Sequence, residues 1–173
     1  MKAIMVTVRL WWFYLTYKGI KVAEIRKRFA KNFKGKIYEY VSKTNWKKDL
    51  MKIPEEEREF FKQFIGKVGL CFECDKVEEI RPSTVDNFAK DSCLTIQELE
   101  NYLWSNILFG YAIHINKLEI FDKPKEISEF YKVGYGECAK PQGSLRERII
   151  ENYNNVLKYQ LTRAPQSYCF IEI

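Results

Sequence analysis

The stretch Gly19-Ile20-Lys21-Val22-Ala23-Glu24-Ile25-Arg26-Lys27 organises the reading of this chain. It follows Arg9–Lys18 (RLWWFYLTYK), which is apolar nearly all round and reads as a helix. Gly19 suits the stop of that helix, because only glycine takes the left-handed conformation without strain. Ile20–Phe29 then returns to strand character. In an extended strand Val22, Glu24, Arg26 and Arg28 share one face, and Lys21, Ala23, Ile25 and Lys27 share the other. Ahead of the helix, Ala3-Ile-Met-Val-Thr-Val8 is β-rich and suits a buried first strand.

Working outward, Gly35 marks a turn and Lys36–Ser42 (KIYEYVS) reads as a further strand. Lys43–Ile53 is basic and loop-like, with Trp46 inside it. Pro54-Glu-Glu-Glu places proline and three acids where a helix start favours them, and that helix runs to about Ile65 before Gly66. Lys67–Val77 is strand-like. Thr95-Ile-Gln-Glu98 is a capping box that opens a helix over Ile96–Trp104. Tyr111–Ile120 is strand material whose apolar parity slips between Ile115 and Leu118, which predicts a bulge or a break. Asp122–Pro141 is rich in loop residues, Ser144-Leu-Arg-Glu147 is a second capping box for a helix to about Tyr159, and Tyr168–Ile173 is a terminal strand. About six strands interrupted by helices, without regular βαβ alternation, predict an α+β chain. The expected architecture is a small mixed β-barrel with flanking helices, one domain over 1–173, with a loop-helix insertion at about 132–160.

The charge is uneven. The chain has 173 residues and a formal net charge of +6. Its first 52 residues hold 14 Lys and Arg against three acids, a net of +11, and the remainder holds 15 against 20, a net of −5. A single basic end points to an anionic partner, nucleic acid before membrane. Lys21, Arg26, Lys27, Arg28, Lys31, Lys34 and Lys36 form the densest strip, with Phe29, Phe33, Tyr38 and Tyr40 interleaved. Such a strip is either a solvated charged face or a surface that follows phosphates and stacks on unpaired bases. Lys21, Glu24 and Arg26 likewise read either as a structural ion pair or as a polar cluster at a cleft. In the second reading Glu24 accepts from a base amino group and Arg26 clamps a phosphate or carboxylate. Trp46 is a packing anchor or a stacking platform. Arg163, Gln166 and Ser167 serve a turn or line the cleft.

Other chemistries find little support. No apolar run approaches the roughly 18 residues of a membrane span, and the start has no cleavage site, so the expected location is cytoplasmic. Five cysteines, an odd number, suit free thiols. Cys71-Phe-Glu-Cys74 has a zinc-like spacing, yet strand parity puts its two thiols on opposite faces. No metal and no cofactor is expected. The single histidine, His114, reads as a satisfied structural residue, and the common nucleotide-loop and hydrolase signatures are absent from the sequence.

Three segments in order resemble the ASCH domain family. Gly19–Lys27 fits G-x-K-x-x-E-x-R, placed after a first strand and helix. Tyr111–Tyr131 (YAIHINKLEIFDKPKEISEFY) resembles the middle of ASCH-like proteins common in bacterial prophages, and Leu161–Tyr168 (LTRAPQSY) resembles their closing L-T-R-P-P-Q-S-W. The resemblance implies a PUA-like fold, a small β-barrel with helices beside it, and action on RNA as a binding or processing module. Some small members are amidohydrolases that remove an acyl group from a modified cytidine, using a Lys, a Thr and a Glu together. Lys21 matches the Lys, Glu24 stands at the Thr position, and Cys71 stands where the acid is expected. Glu73, on the face of Cys71 by strand parity, is the candidate replacement carboxylate.

Three functions follow as expectations. The leading one is an RNA- or nucleic-acid-binding module using a basic cleft built from the strip, with Trp46, Arg163 and Gln166. The second is a hydrolase on a modified nucleoside or on RNA, with Lys21, Glu24 and Glu73 as catalytic candidates. The third is a phage effector that acts by protein–protein binding, for example through an apolar patch on Leu145–Tyr159.

Overall fold

A computed structural model describes residues 2–104, 109–132 and 160–172. Strand β1 (Lys2–Val8) lies inside a six-stranded sheet of order β7-β4-β3-β1-β9-β8. Its neighbours are β3 (Gly35–Val41), parallel, and β9 (Tyr168–Glu172), antiparallel. Both faces of β1 are covered, so Ala3, Ile4, Met5 and Val6 are all buried. This explains why β1 reads as a continuous apolar run instead of an alternating one. β4 (Val68–Cys74), β7 (Asn116–Lys125) and the short β8 (Tyr131–Lys132) complete the sheet.

A separate three-stranded antiparallel sheet has the order β2-β6-β5, from β2 (Ala23–Arg26), β6 (Gly110–His114) and β5 (Val77–Ile80). The expected small mixed β-barrel does not close among the described residues. Among the described residues the strands form two open sheets, and the larger one ends on β7 and β8. The chain passes between the sheets at Ile115, where β6 stops and β7 begins. The slip in apolar parity marked that break. β7 is a charged, mostly exposed edge and β8 has only two residues, both features that keep sheet edges from pairing further.

Helix α1 (Leu10–Tyr17) covers one face of the large sheet. It ends at Gly19, whose φ is +68°, and the amides of Gly19 and Ile20 turn back to the Thr16 and Leu15 carbonyls. That turn sends the chain straight into Lys21. α1 approaches β4 closely at Gly69, where a Cβ would meet Phe13 and Phe64 at 2.5 Å. Phe13, Tyr14, Tyr17, Phe61 and Phe64 form one aromatic cluster there, with centroid separations such as 4.9 Å for Tyr14–Phe61 and 5.0 Å for Phe13–Phe64. A second core lies on the opposite face of the sheet under Tyr38, Tyr40, Cys71 and Phe130. A third lies between the small sheet and helices α4 (Asp86–Ser92) and α5 (Ile96–Leu103).

Several local expectations change. Lys43–Ile53 is not all loop, because α2 (Trp46–Leu50) forms within it and buries Leu50. The acidic start after Pro54 is a 3-10 turn at Glu55–Glu57, followed by a shorter helix, α3 (Arg58–Lys62). Lys67–Val77 divides at Asp75 and Lys76 into β4 and the start of β5. Asp122–Lys125 continues β7 instead of opening a loop. α4 was not expected. The capping box at Thr95 and Glu98 forms as expected, with both reciprocal bonds in place. The second capping box at Ser144, the helix to Tyr159 and most of the insertion lie outside the described residues.

Candidate functional site

The two sheets meet at the C-terminal end of β1. There the turn after α1, strand β2 and the α4–α5 pair enclose a cavity of about 250 Å³. β1 and its continuation bring Thr7, Val8 and Arg9; α1 brings Trp12; the turn and β2 bring Lys21, Glu24, Ile25 and Arg26; α4 and α5 bring Ser92 and Tyr102. β2 is held against α4 by a bond from the Val22 amide to the Asp91 carbonyl, 2.9 Å.

Lys21, Glu24 and Arg26 are all buried, and Glu24 meets both of the others. Lys21 pairs with Glu24, and Arg26 Nε lies 2.8 Å from the other Glu24 oxygen. The pairing of Lys21 with Glu24 departs from simple strand parity because β2 begins only at Ala23, so Lys21 belongs to the turn. Burial pushes the Glu24 carboxyl up, but Lys21 and Arg26 outweigh it and hold the group below the usual carboxylate range. Lys21 also lies 6.0 Å from the Trp12 ring centroid. The only hydrogen bond of its ammonium among the described residues goes to Glu24, so two of the three N–H donors there are left for a guest.

Arg26 is occupied differently. Its guanidinium donates to the Thr7 carbonyl at 2.8 Å and the Ser167 carbonyl at 3.4 Å, besides pairing with Glu24. It therefore ties β2 to β1 and to the approach of β9, which is the structural role weighed against a phosphate clamp. The closing segment contributes through its backbone: Pro165 accepts from the Thr7 hydroxyl at 2.6 Å and Ser167 from the Thr7 amide at 3.3 Å. Arg163 and Gln166 point instead to an exposed depression of about 450 Å³ shared with Lys132 and Thr162.

A fourth ionisable residue, absent from the sequence-based site, stands behind the pocket. Glu39 on β3 is fully buried, and one of its carboxyl oxygens has no hydrogen-bond partner among the described residues. Burial, opposed by Lys21 and reinforced by Glu24, pushes its carboxyl up to about 8. A long contact with Thr16 opposes this shift without outweighing burial. The Thr16 hydroxyl lies 3.1 Å from the Trp12 carbonyl and 3.4 Å from Glu39, and its one proton serves only one of them. The available signal was the alternation Ile37, Glu39, Val41, an acid on the apolar face of a buried strand.

Glu73 does not join this cluster. It shares a face with Cys71, as expected, but Cys71 packs into the core on the opposite side of the sheet from Glu39. The Glu73 carboxylate bonds Lys117 at 2.7 Å near the surface. The basic strip is also divided. Lys36 lies with Tyr38 and Tyr40 on that far side and pairs with Glu119 at 2.8 Å, and both tyrosines are core residues. Lys31 reaches Glu79 at 3.4 Å, and Lys34 is exposed in the connection to β3. Lys27 and Arg28 lie beside the pocket. Trp46 packs against the main core. His114 meets Glu78 at 2.6 Å, and Cys71 and Cys74 lie on opposite faces of β4, their thiols pushed by burial up to about 11.

Among the described residues no group of three or more His, Cys, Asp or Glu could hold a metal ion, and no helix is long and apolar enough to cross a membrane. No family model matches the chain, and no curated protein matches it. Solved structures do. ASCH from Zymomonas mobilis superposes with a TM-score of 0.53 at 11% identity, covering 96% of this chain and 85% of that one. A tyrosine-to-phenylalanine mutant of the same protein gives 0.54 at 10% identity, with 97% and 88% covered. At such identity the likeness establishes the fold alone: this chain has an ASCH-like, α+β fold.

Proposed function

We propose that the chain binds single-stranded RNA by taking one base into the cavity beneath Trp12 and Tyr102. The buried Lys21 ammonium carries this reading. It is 4% exposed, spends one donor on Glu24, and faces a cavity with two donors that no described residue takes up. A base carbonyl or a phosphate oxygen is the acceptor that such a group lacks. With Glu39 neutral, Lys21, Glu24 and Arg26 sum to one positive charge, which favours an anionic ligand. Trp12 and Tyr102 offer aromatic faces for stacking, a contribution that tolerates many sequences. A cavity of about 250 Å³ suits a single base better than a length of strand.

Fluorescence anisotropy with a labelled RNA hexamer tests this. A hydrogen bond from a charged group is worth about 1.5–3 kcal/mol, so Lys21→Met weakens binding by roughly ten- to a hundredfold. Tyr102→Ala, at a partly exposed position, weakens it without disturbing the core. Affinity falls steeply between about 50 and 200 mM salt as counterions are released. Wild-type affinity in both variants defeats the reading.

The same buried Lys21–Glu24 pair supports a second reading, hydrolysis of an acylated nucleoside or of RNA, with Lys21 and Glu24 at the reacting centre. Turnover of N4-acetylcytidine or cleavage of the hexamer, lost in Lys21→Met, supports that reading. Binding without turnover rejects it.

A further inference from the structure

A second depression, about 410 Å³, adjoins the cavity and is lined by Lys27, Arg28, Phe29, Phe109, Tyr111 and Tyr168. Its construction follows from the small sheet. β2 runs antiparallel to β6 with Arg26 opposite Tyr111, so the chain leaving β2 carries Lys27 and Arg28 past Phe109. Phe29 anchors the floor, buried and 5.0 Å from the Tyr168 ring. Phe109 meets Tyr111 edge-on at 5.9 Å and remains 41% exposed. The two depressions share a wall, because the Lys27 ammonium sits 5.2 Å from the ring centroid of Tyr102, which lines the first.

The charges favour an anion here too. Arg28 is exposed and has no ion-pair partner among the described residues. Glu79, which lines a neighbouring depression together with Phe109, is paired with Arg81 at 2.7 Å and with Lys31 at 3.4 Å. The groove thus combines exposed aromatic surface, cations and continuity with the base-sized cavity.

We infer that this groove is a second nucleotide subsite, holding the residue of a single strand next to the base in the first cavity. Phe109 and Tyr111 stack on its base, and Arg28 with Lys27 meets the connecting phosphate. The inference rests on the RNA reading of the first cavity and deepens it: the ligand is a strand, not a free nucleoside.

The test measures a fluorescein-labelled random RNA hexamer by anisotropy, then its displacement by a mixture of the four nucleoside 5′-monophosphates. Stacking and phosphate contacts at one subsite correspond to about a tenfold loss of hexamer affinity in Phe109→Ala and in Arg28→Ala. Phe109→Tyr retains an aromatic face and keeps hexamer affinity within about twofold of wild type. Mononucleotide affinity is unchanged in Phe109→Ala and Phe109→Tyr. Wild-type hexamer affinity in both alanine variants, or an equal loss for hexamer and mononucleotides in Phe109→Ala, overturns the second subsite. In either case loss of binding in Lys21→Met leaves the first cavity standing. If the wild-type protein binds neither probe, both readings fall together.

Discussion

Replacing Glu39 with glutamine isolates one buried proton. Glutamine keeps the shape of a protonated glutamate and cannot ionise, so the two proteins differ in a single titration. The Glu39 carboxyl moves from an ordinary 4.5 in the unfolded chain to about 8 in the folded one. Between those values the folded state holds a proton that the unfolded state has released, so stability falls as pH rises through that window and levels off above it. One proton corresponds to about 1.4 kcal/mol per pH unit. A shift of three to four units therefore costs the wild type roughly 4–5 kcal/mol by pH 8 relative to pH 4.5. Urea denaturation of both proteins at each pH from 5 to 9 measures it, because titrations of groups remote from Glu39 cancel in the difference and Glu24, held below the usual carboxylate range, stays ionised across that window. The expected result is a Glu39→Gln advantage that grows from pH 5 to 8 and then stays level. A difference independent of pH would show that Glu39 ionises as an exposed carboxylate does, and the neutral Glu39 described above would be wrong.

Three other perturbations follow from the same contacts. Glu24→Ala leaves Lys21 and Arg26 buried without their shared carboxylate, and breaking a buried ion pair costs about 3–5 kcal/mol, read from the urea midpoint. Gly69→Ala drives a methyl into Phe13 and Phe64 and lowers stability by about 1–3 kcal/mol, visible as a lower melting temperature. Thr95→Ala removes the capping bond to the Glu98 amide at 3.2 Å and costs about 1 kcal/mol, which denaturant titration resolves.

Signals confined to a few neighbouring residues were legible from the sequence alone. Gly19 ends α1, the Thr95–Glu98 box opens α5, and the parity slip at Ile115 marks the passage between sheets. The cluster of Lys21, Glu24 and Arg26 was legible because its members sit within six positions of one another. What depended on distant partners was not. Whether strands close into a barrel depends on which edges meet, and nothing local to β7 or β8 states it. The parity argument that joined Glu73 to Cys71 was sound, but parity does not say which face of the sheet holds the site. That face belongs to Glu39, whose neighbours Thr16 and Lys21 come from α1 and the turn after it. The basic strip looked continuous in sequence, yet a strand alternates its faces, and Lys36 emerged on the far side from Lys21.

Photo-crosslinking is the most direct test of the central claim that a base enters the cavity. RNA hexamers carrying 4-thiouridine are irradiated with the protein, and the adducts are located by mass spectrometry of the digested chain. The cavity reading predicts adducts on the peptides holding Trp12 and Tyr102, lost in Lys21→Met. Adducts confined to the exposed depression of Arg163 and Gln166, unchanged by that substitution, would contradict it.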